Sequence, residues 1–239
     1  TTLDLTGINP TTSLPYLAPN TSYSFYITNV CEYTGGGSTP IVVTDSAIST
    51  ALTFTTACAA VNAFPYLESF ETITAGQPDC WSLEGTTTNA NYHFTSSSAG
   101  QTGRGMQFDS YYNSSGNTSE LITPTMDAST LTSLELNFQY KNPAAGNFEV
   151  LVSSDGGSTY TSLATGLTGQ SDWALKNYDL TSYISSNMLV KFKGTSNWGS
   201  SSVANQIYLD EVQIREQPSC LESTDLTASV SAFSSGAAS

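Results

Sequence analysis

The chain has 239 residues, and its 6 Lys and Arg against 20 Asp and Glu give a formal net charge of −14 at pH 7. So acidic a surface repels phosphate backbones and anionic bilayers, which excludes nucleic acid as a partner, and no run of about 18 apolar residues exists for membrane insertion. Only 11% of residues are charged, and Ser, Thr, Asn and Gly fill the polar positions beside Val, Ile, Tyr and Phe, which predicts an all-β fold with almost no helix.

Residues 14–30 read as a turn running into a strand, with Tyr23, Phe25 and Ile27 alternating against Ser24 and Thr28. Within them, Leu17-Ala18-Pro19-Asn20-Thr21-Ser22-Tyr23 resembles the L-x-P-x-T-x-Y signature of fibronectin type III domains. In that family the tyrosine hydroxyl ties a corner of the sandwich to its own backbone. Leu52 to Thr56 follows as the last strand of such a unit. An immunoglobulin-like sandwich needs roughly 100 residues, so residues 1–58 are expected to be the C-terminal half of a type III module.

Residues 62–217 read as short strands separated by turn clusters. Leu134, Leu136, Phe138 and Tyr140 face one way and Glu135, Asn137 and Gln139 the other. Phe148-Val150-Val152, Met188-Val190-Phe192 and the run from Ile207 to Ile214 repeat the pattern. With turns at Asn142-Pro143 and Asp155-Gly156-Gly157, it predicts a jelly-roll β-sandwich.

Three stretches of this unit carry a family resemblance: Phe64 to Glu71 followed by Pro78-Asp79-Cys80-Trp81, Val152 to Tyr160, and Ile207 to Val212. In order and spacing they resemble the MAM-like jelly-roll and cleaved-adhesin modules of secreted Bacteroidota proteins, with Asp210-Glu211 standing where those modules usually carry two aspartates. The resemblance implies a non-catalytic unit of surface adhesins, proteases or polysaccharide-degrading enzymes, often flanked by type III repeats. Residues 218–239, through Leu226 to Val230, are expected to open a further type III module, which makes the chain a slice of a tandem-module protein.

Several residues could carry chemistry. Tyr111-Tyr112 beside Asn113, and Trp198 within a Gly/Ser-rich segment, are candidate ligand-binding rings, because exposed aromatic faces stack on sugars while nearby polar groups fix orientation. Trp81 and Trp173 are expected in the core. Ser153 to Tyr160 fits an Asp-box, a hairpin whose short polar side chains bond the turn backbone. The single histidine, His93, has no nucleophile beside it and is expected to be a surface or packing residue. Glu135 and Glu149 fall on the polar faces of neighbouring strands, as a carboxylate pair for glycoside hydrolysis would, but nothing around them predicts a raised pKa. No catalytic site is expected.

The cysteines, Cys31, Cys58, Cys80 and Cys220, are widely spaced without a C-x-x-C pair, which points to disulfides and an oxidising, extracellular or cell-surface location. Cys31 is expected to pair with Cys58, leaving Cys80 and Cys220 to each other unless Cys220 pairs within a following module. The acidic excess invites calcium, which takes six to eight oxygens. Glu68 and Glu71 on the entry segment, Asp210 on the exit strand and Asp109 are the expected ligands of a structural calcium ion, at a position that carries metal in the modules this unit resembles. The functional expectation is a segment of an extracellular adhesin whose partners are a glycan or surface-protein ligand and its own neighbouring modules. The alternatives are a rigid spacer or an accessory module of a secreted hydrolase.

Overall fold

A strand with every second residue apolar buries one face only, so it must find a second layer to cover that face. In the computed structural model, which describes residues 17–26, 31–33, 41–43, 50–87, 92–143, 146–197 and 206–218, two antiparallel sheets cover each other. In chain order the strands are β1 (Ser22–Phe25), β2 (Cys31–Tyr33), β3 (Ile41–Val43), β4 (Leu52–Thr55), β5 (Tyr66–Glu68), β6 (Ser82–Glu84), β7 (Thr95–Ser97) and β8 (Gly105–Asp109). They continue as β9 (Thr118–Ile122), β10 (Glu135–Asn142), β11 (Phe148–Ser153), β12 (Thr161–Ala164), β13 (Gln170–Asp179), β14 (Leu189–Thr195) and β15 (Gln206–Arg215).

One sheet runs β13-β10-β15-β8-β7, with β5 also paired to β15, and the other runs β12-β11-β14-β9-β6. The expected alternation holds: Leu136, Phe138, Val150, Val152, Met188, Val190, Phe192, Ile207, Leu209 and Ile214 are fully buried or nearly so between the sheets. The filling is largely aromatic, since Phe70, Phe94, Phe108, Phe138, Phe148 and Phe192 have no exposed surface. Gly194 on β14 makes room for this packing, because a Cβ there would stand 2.7 Å from Phe108 Cδ1. The chain is an all-β jelly roll, as its alternation predicts. Among the described residues no helix is long and apolar enough to cross a membrane.

The free edge of β15 serves two partners. Its first half pairs with β8, with Gln206 opposite Asp109 and Leu209 opposite Met106; its second half pairs with β5, with Val212 opposite Glu68. Between them the ladder to β10 shifts register after Asn137, and Glu211 takes a positive φ of 50°. Asp210 and Glu211 therefore form a bulge where β15 changes neighbours, a device that re-aims side chains.

In the N-terminal stretch β1 pairs with β4 and β2 with β3. Tyr23 stacks on Phe54 at 5.9 Å, and Ala18 N donates to Tyr23 Oη at 2.8 Å, so the tyrosine does tie the corner to its own backbone.

The cysteine pairing differs from expectation. Cys58 is bonded to Cys80, with Cα atoms 5.8 Å apart. The linker after β4 does not return to its own unit: Val61 N donates to Thr125 O and Val61 O accepts from Asp127 N, which lays the linker beside the end of β9 and Cys58 next to Cys80. Trp81, buried in the core, fixes Cys80 from the other side. The side chain of Cys31 and all of Cys220 lie outside the described residues.

The two cysteines are 22 residues apart, so on the loop-entropy model their bond contributes about 3 kcal/mol. Peptide mapping without reductant should recover Cys58 linked to Cys80, and Cys58→Ser should lower the unfolding free energy by about that amount. A Cys31–Cys58 peptide, or coincident denaturation curves, would contradict the assignment.

Candidate ligand-binding surface

β8 ends at Asp109, and the next residues make a single 3-10 turn, Ser110–Tyr112. Asp109 Oδ1 caps it by accepting from Tyr111 N at 3.0 Å. Asn113 then locks the exit, donating from Nδ2 to Tyr92 O and Asp109 O, each at 3.0 Å, and accepting from the Thr87 hydroxyl. Just past the end of β14 the Ser196 hydroxyl donates to Ser110 O and Asn113 O, both at 2.9 Å. With the backbone bonded on all sides, the rings have nowhere to turn but outward. Tyr111 is 42% and Tyr112 57% exposed. Tyr112 stacks on Tyr92 at 5.3 Å and 15°, and Tyr111 meets Tyr112 edge-on at 5.0 Å. Rings held this way lose little freedom when a ligand covers them. Tyr92 is the member of this trio that the sequence did not single out. Trp198 lies outside the described residues.

The bulge in β15 organises the acidic residues. Asp210 is fully buried, and its carboxylate accepts from Gln101 N at 2.7 Å and Glu211 N at 2.8 Å. Glu71 Oε2 accepts from Arg104 N at 3.1 Å. Both carboxylates thus grip the loop 100–104, where glycine is required: a Cβ on Gly103 would lie 2.3 Å from Glu71 Oε2, and one on Gly100 2.9 Å from Asp210 Oδ2. The Arg104 guanidinium is turned to Ile73 O, Thr74 O and Ser96 Oγ instead of to either carboxylate. Burial pushes the Asp210 carboxyl up to about 6, against the opposing pull of the Gln101, Glu211 and Thr102 amides.

Of the four expected calcium ligands, Glu71 and Asp210 share this loop. Glu68 bonds Phe70 N at 2.7 Å, opposite Val212. Asp109 is four residues from Gly105 at the other end of β8, accepting from Gln206 Nε2 at 3.1 Å. Among the described residues no three His, Cys, Asp or Glu side chains are grouped to hold a metal.

The two glutamates weighed for hydrolysis stand on different sheets, Glu135 on β10 and Glu149 on β11. Burial acts to raise the pKa of Glu135, but hydrogen bonds from Asn177, Asn137 and Arg215, with the charge of Arg215, bring its carboxyl below the usual range. Such a group does not donate a proton as a general acid near neutrality. Glu149 pairs with Lys193 at 3.6 Å. His93 has a pKa lowered by burial and meets Ser119 Oγ through Nδ1 at 3.2 Å. Asp155 is the hinge of the expected hairpin: its carboxylate accepts from Ser153 Oγ, Thr159 N and Thr159 Oγ1 at 2.7, 2.9 and 2.6 Å.

Trp81 is buried, meeting Phe70 edge-on at 5.6 Å, as expected of a core anchor. Trp173 is not in the core. It is half-buried on the outer face of the six-stranded sheet, 6.1 Å from the Tyr208 ring. Tyr208 faces the same way, since buried Ile207 and Leu209 on either side of it oblige its side chain to point away from the core. On the opposite sheet a cleft of about 520 Å3 is lined by the Cys58–Cys80 bond, Glu84, Tyr160 and Lys191. Its one cation is already neutralised, since Lys191 bonds Glu84 at 3.1 Å and Glu120 at 2.6 Å.

The sequence profile of the MAM domain family (meprin/A5/mu) matches residues 71–220. No curated protein sequence matches the chain. Among solved structures, the K1 cleaved adhesin domain of Lys-gingipain from Porphyromonas gingivalis W83 is similar at 21% identity and a TM-score of 0.50, over 65% of this chain and 100% of that one. The K3 cleaved adhesin domain of the same protein gives 20% identity and a TM-score of 0.47, over 62% and 97%. TmCBM61, solved with β-1,4-galactotriose, gives 15% and 0.43, over 62% and 94%. The K1 likeness supports the jelly-roll fold.

The buried carboxylate leaves a mark on pH dependence. Asp210 has a folded pKa of about 6, raised above the unfolded value of about 4, so the folded chain holds a proton that the unfolded chain releases between those values. Stability contributed by this group falls as pH rises from about 4 to about 6. Asp155 acts in a separate window. Hydrogen bonds from Thr159 and Ser153 hold its carboxyl down to about 2, so its contribution is present above pH about 4 and is lost on further acidification. Melting temperatures measured in chelator should therefore drop less between pH 4 and 6 in Asp210→Asn than in the parent. Parallel pH profiles would contradict this.

Proposed function

The chain belongs to the MAM domain family (meprin/A5/mu), and we propose that it is a non-catalytic, glycan-binding segment of a large extracellular or cell-surface adhesin. The observation that carries this reading is the tyrosine trio: Tyr92, Tyr111 and Tyr112 are held in fixed mutual contact on a hydrogen-bonded loop, with two of the rings well exposed to water. Monomeric proteins seldom leave rings so placed without a use. Asn113 and Asp109 beside them are committed to holding the backbone, which makes the loop a pre-formed platform. The name of the Lys-gingipain domains as cleaved adhesin domains agrees in kind with this reading. In the proposed arrangement residues 1–58 and 218–239 belong to neighbouring type III modules, and the Cys58–Cys80 bond joins the first of them to the jelly roll.

Calcium belongs to the same proposal in a reduced form. Asp210 is a fully buried carboxylate with no Lys or Arg partner among the described ion pairs, and Glu71 reaches the same loop from the other side. Two carboxylates suit calcium when backbone carbonyls and water complete the shell. The ion would offset the buried negative charge and stiffen the loop.

On a glycan array the full chain should bind, and Tyr111→Ala/Tyr112→Ala should lose most of that signal while incubation with the bound glycan releases no reducing ends. Undiminished binding by the double variant would move the site elsewhere, and turnover would contradict a non-catalytic module. Calcium at a hundredfold excess over its Kd should stabilise the fold by about 2.7 kcal/mol, seen as a higher melting temperature than in chelator. Coincident melting curves, or an unchanged calcium shift in Asp210→Asn, would rule the ion out.

A further inference from the structure

The outer face of a sheet that meets water is ordinarily polar, and on the six-stranded sheet it is not uniformly so. Trp173 lies half-buried on that face, and Leu175, two residues along β13 and on the same side, is 62% exposed. Beneath Trp173 sits Tyr208, only 8% exposed, with ring centroids 6.1 Å apart at 59°. Tyr208 is itself immobilised: Lys141 Nζ stands 5.6 Å over its ring and its hydroxyl donates to Gln206 Oε1. The tryptophan is therefore seated on a fixed support, so a ligand pressing on it meets a ring whose freedom is already restricted.

Polar groups continue the row across the sheet. Lys141 is opposite Tyr208, Tyr208 is opposite Gln107, and Gln107 is opposite Thr95, so four strands each contribute one polar or aromatic side chain in line. Gln206, which holds Tyr208, donates to Asp109, and Asp109 caps the turn that carries Tyr111. Contacts thus run without a break from Trp173 to the exposed tyrosines.

We propose that the outer face of the β13-β10-β15-β8 sheet binds an internal stretch of a neutral polysaccharide, with Trp173 as the stacking ring and Tyr208 as its support. The proposal rests on the glycan-binding reading and deepens it. An apolar ring flanked by amide, ammonium and hydroxyl groups complements a pyranose, whose C–H face is apolar and whose rim carries hydroxyls. A row that crosses several strands matches a stretch of several sugar units better than a single terminal residue. Charge selects the class: a protein of net charge −14 repels uronate and sulfate polymers, leaving neutral ones.

The test is affinity electrophoresis of the full chain through gels containing hydroxyethylcellulose, xylan or galactan, with polygalacturonate as the anionic arm. The parent should be retarded by at least one neutral polymer and not by polygalacturonate. Trp173→Ala should weaken retardation about tenfold or more, and Leu175→Glu, at an exposed position, should weaken it with an unchanged melting temperature. Parent-level retardation in both variants overturns this site and leaves the module reading standing. Equal retardation by polygalacturonate overturns the neutral-ligand assignment. No retardation of the parent by any neutral polymer overturns this site and the glycan reading together.

Discussion

Phe138 meets Phe192 edge-on at 5.2 Å and Phe148 at 6.5 Å, and stacks on Tyr178 at 6.0 Å. Through Phe192 the contacts pass to Trp81 and Phe70, and through Phe148 to Phe94 and Phe108. Rings from both sheets interlock in this seam, and emptying one such position in a core typically costs about 3–5 kcal/mol. Because a one-residue slip would carry every ring to the wrong face, the seam fixes the register of all the long strands. The outward residues are fixed with them. The order of Lys141, Tyr208 and Gln107 across the outer face is a consequence of where Tyr140, Leu209 and Phe108 must go on the inner one.

The bulge at Asp210 and Glu211 is the one place where β15 departs from that order. It lets a single strand edge serve β8 and then β5, and it leaves a carboxylate buried at the changeover. The cost of burying that charge is partly offset by the amides of Gln101, in the 100–104 loop, and of Glu211 in the bulge itself. Glu71 repeats the arrangement on the loop's other side. The jelly roll is thus closed near its entry and exit strands by charge-assisted contacts, and at the end of β8 by the Asp109 carboxylate together with neutral contacts among Ser110, Asn113 and Ser196. The loop end that carries the tyrosines is held without ion pairs of its own among the described residues.

Alternation made the fold legible. Leu136, Phe138 and Tyr140 against Glu135, Asn137 and Gln139 mark a strand whose apolar face turns to the core, although Glu135 and Asn137 on its other face are also buried, and the Ser153 to Tyr160 hairpin carries its own hydrogen-bond logic in sequence. Tyr111 and Tyr112 were readable as exposed because they sit between turn residues. Three things depended on tertiary placement and were not readable. The partner of Cys58 is set by where the linker docks, through Val61 beside Met126. Trp173 looked like a core residue because its strand, β13, is an edge whose alternation is blurred by Ala174 and Lys176. The four carboxylates looked like one group because Asp109 and Asp210 share neighbouring strands, while the antiparallel register separates them along the sheet.

The claim at the centre of this account is that the six-stranded sheet, with the loop after β8, presents a binding face and no active site. The direct measurement is an amide NMR titration of the full chain with a soluble neutral oligosaccharide of several units. Shifts gathered on β13, β10, β15, β8 and the Tyr111–Tyr112 turn, with the oligosaccharide intact at the end, are the predicted result. Shifts gathered instead around the cleft of Lys191, Tyr160 and the Cys58–Cys80 bond, or shortening of the oligosaccharide during the titration, would contradict it.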